Sequence, residues 1–269
     1  VVTGPSGERL EVHHRVGDPG WPDLAAAYWG GRLPGLERVR SSRFAVVERG
    51  RPAGGGPAVF FKRFLLRGWP DRVKHWVRAS RARRALRAGE TVGALGFGVP
   101  PALCLIEERG AGGVRESALV TGAIEDVRSM YEWVMQPRPD LGDTPARRGR
   151  LLRALGREVG AWHRAGLYHG DMQPRNILGR ERDGRFEFFW LDNEGVRRFA
   201  TLPPRMRVRN LVQITRRLRG IPRTDYARFA RGYFETAGLS CGEARAVERR
   251  VARALVEAAA PAAAAARAR

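Results

Sequence analysis

The sequence changes character once, near Ile124. Upstream, Leu36–Arg40, Phe44–Glu48 and Ala58–Phe64 read as short strands, rich in Val and Phe and separated by turn residues, and Ala102–Arg109 and Glu116–Gly122 as two more. One helical region interrupts them, from Asp71 to Leu95, and Gly96-Phe97-Gly98-Val99-Pro100-Pro101 breaks it. Downstream the balance inverts. Pro145–Ala165 repeats Leu151, Leu152, Leu155, Val159 and Trp162 at helical spacing, with Gly166 as its stop. One apolar strand follows, Phe186–Leu191, and from Arg205 the pattern is helical to the end. Strands gathered first and helices last predict an α+β chain, with a small strand-rich part at 36–122 and a larger helical part at 123–257. Residues 1–35, rich in Gly and Pro, read as an N-terminal extension, and 258–269 as an Ala-rich tail of low complexity.

With 269 residues, 43% of them hydrophobic and 29% charged, the chain has material for a real core and is not of disordered composition. No stretch approaches the roughly 20 apolar residues that span a bilayer, and Val1-Val2-Thr3-Gly4 lacks a signal peptide's apolar core. Cys104 and Cys241 show no metal-ligand spacing and no disulfide framework; both read as small buried hydrophobes in a reducing compartment. The formal charge is +21, and of 49 basic side chains only two, Lys62 and Lys74, are lysines. Abundant Ala and Gly mark part of the arginine excess as compositional bias. The remainder favours an anionic partner: nucleic acid, a membrane surface or a phosphorylated substrate.

The most informative segment is His169-Gly170-Asp171-Met172-Gln173-Pro174-Arg175-Asn176, with Asp192 sixteen residues beyond it at the end of Phe188-Phe189-Trp190-Leu191. Phosphoryl transfer asks little covalent chemistry of a protein. It needs an acceptor hydroxyl held in line and deprotonated, and divalent cations bridging the nucleotide phosphates. A carboxylate at Asp171 and an amide oxygen at Asn176 can divide that work, one accepting the hydroxyl proton and the other ligating a metal alongside a second carboxylate on a neighbouring strand. His169 reads as a residue serving the loop's backbone geometry, and His163 as a helix-end packing residue.

These residues resemble the protein-kinase-like superfamily, whose catalytic loop reads His-x-Asp-x-x-x-x-Asn. The resemblance implies Asp171 as the catalytic base, and Asn176 and Asp192 as Mg²⁺ ligands that also bind the nucleotide. It asks for a lysine on the third small-lobe strand to hold the α- and β-phosphates, and Lys62 stands there in Val59-Phe60-Phe61-Lys62-Arg63-Phe64. It asks for a helical glutamate to pair with that lysine, and Glu90 is so placed in Ala88-Gly89-Glu90-Thr91. The turn over the phosphates falls at Ser41-Ser42-Arg43 and has no glycine, so cover there comes from backbone N–H groups and a serine hydroxyl. The implied fold is bilobal, a small β-rich N-lobe and a larger helical C-lobe with ATP and Mg²⁺ bound between them.

More specifically, Phe61-Lys62-Arg63, the Leu119-Val120-Thr121 strand leading to Glu125, Ala165-Gly166-Leu167-Tyr168-His169-Gly170-Asp171 and Arg209-Asn210-Leu211 resemble the bacterial lipopolysaccharide kinase family, over about residues 36–235. That resemblance implies transfer of the ATP γ-phosphate to a hydroxyl of a core sugar, Kdo or heptose, on a membrane-embedded lipid. It implies a cytoplasmic enzyme, peripheral at the inner membrane, with adenine bound through backbone groups of Leu119, Val120 and Thr121. Gly170 replaces the arginine of protein kinases controlled by activation-loop phosphorylation, and no Ala-Pro-Glu segment follows Asp192. A short activation segment offers little platform for a peptide, which favours a small hydroxyl-bearing acceptor. Arg175, beside the metal-binding amide, is placed to hold the transferring phosphoryl group or a substrate phosphate.

Two basic clusters remain. Arg72, Lys74, Arg78, Arg81, Arg83, Arg84 and Arg87, with Trp69 and Trp76, suit an anionic membrane surface. Arg205, Arg207, Arg209, Arg216, Arg217 and Arg219 are placed to border the acceptor site. Neither contains a nucleic-acid module, so nucleic acid is the weaker partner class. Two rival functions stand: another small-molecule phosphotransferase of the same fold, and a pseudokinase that binds nucleotide or an anionic surface without turnover. The acidic acceptor clefts typical of drug phosphotransferases suit this basic chain poorly, and the intact Lys62, Asp171, Asn176 and Asp192 argue against the pseudokinase.

Overall fold

Short runs of branched and aromatic residues, each closed by a turn, build an antiparallel sheet in the first half of the chain. The computed structural model describes residues 1–4, 7–14, 20–42, 45–51, 57–65, 79–110, 113–218 and 220–267. Two units emerge, Val1–Ala94 with Val99–Glu125, and Leu95–Gly98 with Asp126–Arg269. In the first, β1 (Val2–Thr3), β2 (Arg9–His14), β3 (Glu37–Ser42), β4 (Ala45–Gly50), β5 (Val59–Phe64), β6 (Ala102–Gly110) and β7 (Gly113–Gly122) form one sheet in the order β1-β2-β6-β7-β5-β4-β3.

Residues 1–35, set apart in the sequence as an extension, supply β1, β2 and the helix α1 (Trp21–Trp29). Strand β2 runs beside β6 from Arg9↔Arg109 to His14↔Cys104. Helix α1 buries Trp21, Ala25, Tyr28 and Trp29 against Leu10, Phe61, Cys104, Ile106 and Val120. Strand alternation sends the intervening residues to the opposite face. There α2 (Arg81–Ala94) packs Ala82, Ala85 and Leu86 on Ala45, Phe64, Leu105 and Leu119.

The helical run expected from Asp71 is not continuous. Residues 66–78, with Trp69, Arg72, Lys74, Trp76 and Arg78, lie outside the described residues, and 79–80 are not helical. Ser80 starts a new helix there: its hydroxyl accepts from Arg83 N at 3.0 Å and its carbonyl from Arg84 N at 3.0 Å. The same hydroxyl donates to Glu107, which is fully buried and also paired with Arg83 (2.5 Å) and Arg109 (3.6 Å). Burial alone would raise the Glu107 pKa, but the Arg83 and Ser80 hydrogen bonds outweigh it and hold the carboxyl below its ordinary value.

In the second unit α3 (Met130–Met135), α4 (Pro145–Arg164), α5 (Pro204–Thr215), α6 (Arg223–Thr236) and α7 (Cys241–Arg267) surround a small sheet of β8 (Arg128–Ser129), β10 (Ile177–Arg182) and β11 (Arg185–Trp190). The Ala-rich stretch expected as a tail continues α7 to Arg267. Helices α4 and α6 touch backbone to backbone: a Cβ on Gly156 would lie 2.1 Å from the Phe229 carbonyl oxygen, and one on Gly232 2.0 Å from that of Arg153. Gly166 ends α4 with φ +77°, and a Cβ there would meet the Phe199 carbonyl oxygen at 1.9 Å. Cys104 is buried, and burial pushes its thiol up to about 12. Cys241 is exposed, contrary to the expectation from sequence, because it opens the first turn of α7 on the solvent side. Among the described residues no helix is long and apolar enough to cross a membrane.

Candidate active site

The loop between β9 (Leu167–Tyr168) and β10 draws its shape from hydrogen bonds within the motif. Gln173 Nε2 donates to Asp171 Oδ1 at 2.6 Å. Asn176 Nδ2 donates to the Asp171 carbonyl at 2.9 Å and to its Oδ2 at 3.2 Å. The Leu191 N–H donates to the Asn176 carbonyl at 2.8 Å, bringing the end of β11 alongside the loop. Asp192 then turns out of the strand in the left-handed region, φ 59° and ψ 45°, which a short polar side chain tolerates better than most. Asp171, Asn176 and Asp192 are thus gathered on one small scaffold, each half-buried.

His169 ties its two halves together. Its Nε2 meets the Leu191 carbonyl at 3.0 Å and its Nδ1 accepts from the Asp171 N–H at 3.1 Å, an arrangement that a neutral ring protonated on Nε2 satisfies. Burial drives its pKa down, and the Leu191 hydrogen bond and the charges of Asp192 and Asp171 oppose that only in part. Gly170 has a steric reason: a Cβ would stand 2.9 Å from the Gly195 carbonyl oxygen, so any larger residue would push the loop off the segment after Asp192.

Helix α5 clamps the loop from below. Asn210 Oδ1 accepts from the His169 N–H (3.1 Å), and Asn210 Nδ2 donates to the His169 carbonyl (2.6 Å) and to Gln213 Oε1 (2.8 Å). Gln213 in turn accepts from the Met172 N–H (3.2 Å) and donates to the Gly170 carbonyl (3.2 Å). The chain of bonds continues inward through His163, 3.3 Å from Asn210 Oδ1 and 3.0 Å from the Tyr233 hydroxyl, which accepts from Arg207 at 2.6 Å. Burial, aided by the Arg207 charge, lowers the His163 pKa to about 3. Sequence reasoning saw Asn210 only as part of a helix and missed Gln213. The available signal was two amides one turn apart, on the helix face that also buries Arg207, Leu211 and Ile214.

In the first unit, Lys62 on β5 stands in register with Val47 and Leu119, on the sheet face that α2 covers. Its ammonium lies 5.1 Å from the centre of the Phe64 ring. Glu90 is exposed near the end of α2. Leu119, Val120 and Thr121 lie in β7, flanked by β5 and β6 on both sides. Ser41 and Ser42 end β3, with Ser42 paired to Ala45, while Arg43 and Phe44 lie outside the described residues.

The donors present suit a magnesium ion. Asn176 commits its amide nitrogen to Asp171, which leaves the amide oxygen as a hard donor, and the Asp192 carboxylate follows the strand end bonded to the Asn176 carbonyl through Leu191.

A protein-family model described as the lipopolysaccharide kinase (Kdo/WaaP) family matches residues 55–233. Among solved structures, "WaaP in complex with acyl carrier protein" matches with a TM-score of 0.58 at 21% identity, covering 91% of this chain and 98% of that one. At that identity the likeness speaks to the fold. No curated protein sequence matches the chain.

Proposed function

The chain belongs to the lipopolysaccharide kinase (Kdo/WaaP) family, and on that premise we propose that it transfers the ATP γ-phosphate to a hydroxyl of a lipopolysaccharide core sugar, Kdo or heptose. The observation that carries the reading is His169 bridging the Asp171 N–H and the Leu191 carbonyl, which keeps a candidate base and a candidate metal carboxylate in fixed relation. Asp171 takes the proton of the acceptor hydroxyl as its oxygen attacks the γ-phosphorus, and ADP leaves. The carboxylate is oriented for this by Gln173 and Asn176, which donate to its two oxygens. Mg²⁺ supplies charge neutralisation on the phosphates, with Asn176 and Asp192 as its protein ligands.

In this reading the two units act as the β-rich N-lobe and helical C-lobe of a kinase-like enzyme. Lys62 holds the α- and β-phosphates, Glu90 orients Lys62, and Ser41 and Ser42 cover the phosphates. Adenine is taken where the Leu119–Thr121 strand ends, the chain leaving that strand supplying backbone partners. A compact ammonium suits the phosphate post better than a planar guanidinium, in a chain where Arg is otherwise the rule. The enzyme works at the cytoplasmic face of the inner membrane, its arginine-rich surface drawn to anionic lipid.

The test is incubation with γ-labelled ATP and Mg²⁺ in the presence of core lipopolysaccharide, an aminoglycoside or a generic protein. Label is expected on the lipopolysaccharide. Label on protein alone contradicts the sugar-kinase reading, and tight ATP binding with no label anywhere favours the pseudokinase.

A further inference from the structure

We propose that a cavity of the second unit, edged by Arg175, Arg216 and Arg217, binds a phosphate monoester that the acceptor already carries, apart from the hydroxyl to be phosphorylated. The inference rests on the sugar-kinase reading for the identity of the acceptor, and on the cavity itself for the chemistry. The cavity measures about 620 Å³ and is walled by Tyr131, Met135 and Gln173 besides the three arginines, with no acidic residue in its lining among the described residues. That volume falls in the range of small-ligand sites, roughly 300–1,000 Å³, and exceeds the needs of a lone anion. It suits a phosphate together with the sugar that bears it.

Several arginines of the same unit are matched with acid: Arg128 with Asp143, Arg147 with Glu181, Arg148 with Asp225, Arg157 with Glu235 and Arg180 with Glu187. Arg216 and Arg217 are exposed and, among the described residues, have no carboxylate partner. Arg175 is held in place by the Tyr131 ring, its guanidinium 4.1 Å from the ring centre. Planar guanidinium forks lining one cavity are suited to a phosphate dianion.

The position also matters. Gln173, in the cavity wall, donates to Asp171 Oδ1 at 2.6 Å. A phosphate seated on the arginines therefore anchors its sugar one residue away from the carboxylate that takes the hydroxyl proton. This is an anchoring role, and it acts on acceptor affinity before it acts on the chemical step.

The test is equilibrium binding of two probes: a lipid-free core oligosaccharide bearing a phosphate monoester, and the same oligosaccharide after phosphatase treatment. The native protein is expected to prefer the phosphorylated probe by at least about tenfold, the loss of one charge-assisted pairing. The Arg216→Ala/Arg217→Ala protein should bind both probes alike, and Arg216→Lys/Arg217→Lys should keep part of the preference. Arg249→Ala, an exposed position on α7 outside the cavity lining, should keep all of it. The proposal is overturned if the native protein binds both probes equally or neither, if the double alanine variant keeps the preference, or if Arg249→Ala loses as much. Transfer of label to the oligosaccharide is scored separately. A preference that follows Arg216 and Arg217 without transfer would sink the kinase reading and leave the anion site standing.

Discussion

Two buried polar clusters solve the same problem with different chemistry. On the sheet of the first unit, Glu107 is buried as a charge and met by Arg83, Arg109 and the Ser80 hydroxyl. Beneath the loop of the second unit, Asn210, Gln213, His163 and His169 are neutral, and Arg207 stands behind them, hydrogen-bonded to the Tyr233 hydroxyl. An ion pair is an adequate way to pin a helix to a sheet. A cation placed directly under the loop would pair with Asp171 and Asp192, lower their basicity and weaken their hold on a proton or a metal. Neutral amides and imidazoles fix the backbone without placing a charge beneath the two carboxylates.

The contrast can be broken at either end. The largest effect should come from Asn210→Leu, which leaves the His169 N–H and carbonyl without their partner and takes one of three hydrogen bonds from the Gln213 side chain. We expect a loss of about 4 kcal/mol in stability, with kcat falling more than the KM for ATP. Denaturant melts and steady-state kinetics on one preparation read both, and an unchanged kcat would remove the clamp from its positioning role. Next comes Arg83→Ala, which strips Glu107 of its closest cation and should cost about 3 kcal/mol. Here kcat in the surviving folded protein should hold, and a drop as large as that of Asn210→Leu would erase the distinction between the two clusters.

Acid gives a third, smaller effect. The folded-state pKa of His163 is lowered to about 3, so below the ordinary histidine value the unfolded chain takes up a proton that the folded chain refuses. Stability is therefore lost as pH falls through the interval from about 6.5 towards 3, and at pH 5 the loss from this ring alone is about 2 kcal/mol relative to pH 7. His169, lowered in the same direction, adds to it. The carboxyl of Glu107 also stabilises the fold only while ionised, but its contribution fades at lower pH, below the ordinary carboxylate range. Urea melts at pH 7 and pH 5 should differ accordingly, and His163→Gln should flatten the difference by its own share. An unaltered pH slope in that variant would show the ring to be charged or exposed.

What could be read in the sequence was short-range. The motif from His169 to Asn176 closes on itself within a few residues, and the helix ended by Gly166 carries its own stop. The hairpin from Ile177 to Trp190 is half-legible: its second strand stands out as the apolar run Phe186–Leu191, while its first does not. Asp183 and Gly184, with φ 52° and 72°, supply the two-residue turn that joins them, and an Asp-Gly pair between apolar runs is the usual signal for it. What could not be read was long-range. Strand β2 is defined by partners near Arg109, so an isolated reading of residues 1–35 sees Gly, Pro, scattered charge and one apolar patch around Trp21 to Trp29, and no strand. Glu107 alternates along β6 like any solvent-facing acid, and Ser80 and Arg83, more than twenty residues earlier, supply the hydrogen bonds that make its burial tolerable. The clamp is likewise 41 residues from the loop it holds.

The central claim is that Asp171 is the base of a sugar kinase, and single-turnover transfer from γ-labelled ATP to core lipopolysaccharide tests it most directly. Asp171→Asn keeps the side chain's shape and removes the proton acceptor. The variant should fold, bind ATP as the native protein does, and transfer about 10³-fold more slowly. A variant that transfers at the native rate would contradict the assignment of Asp171 and the mechanism built on it.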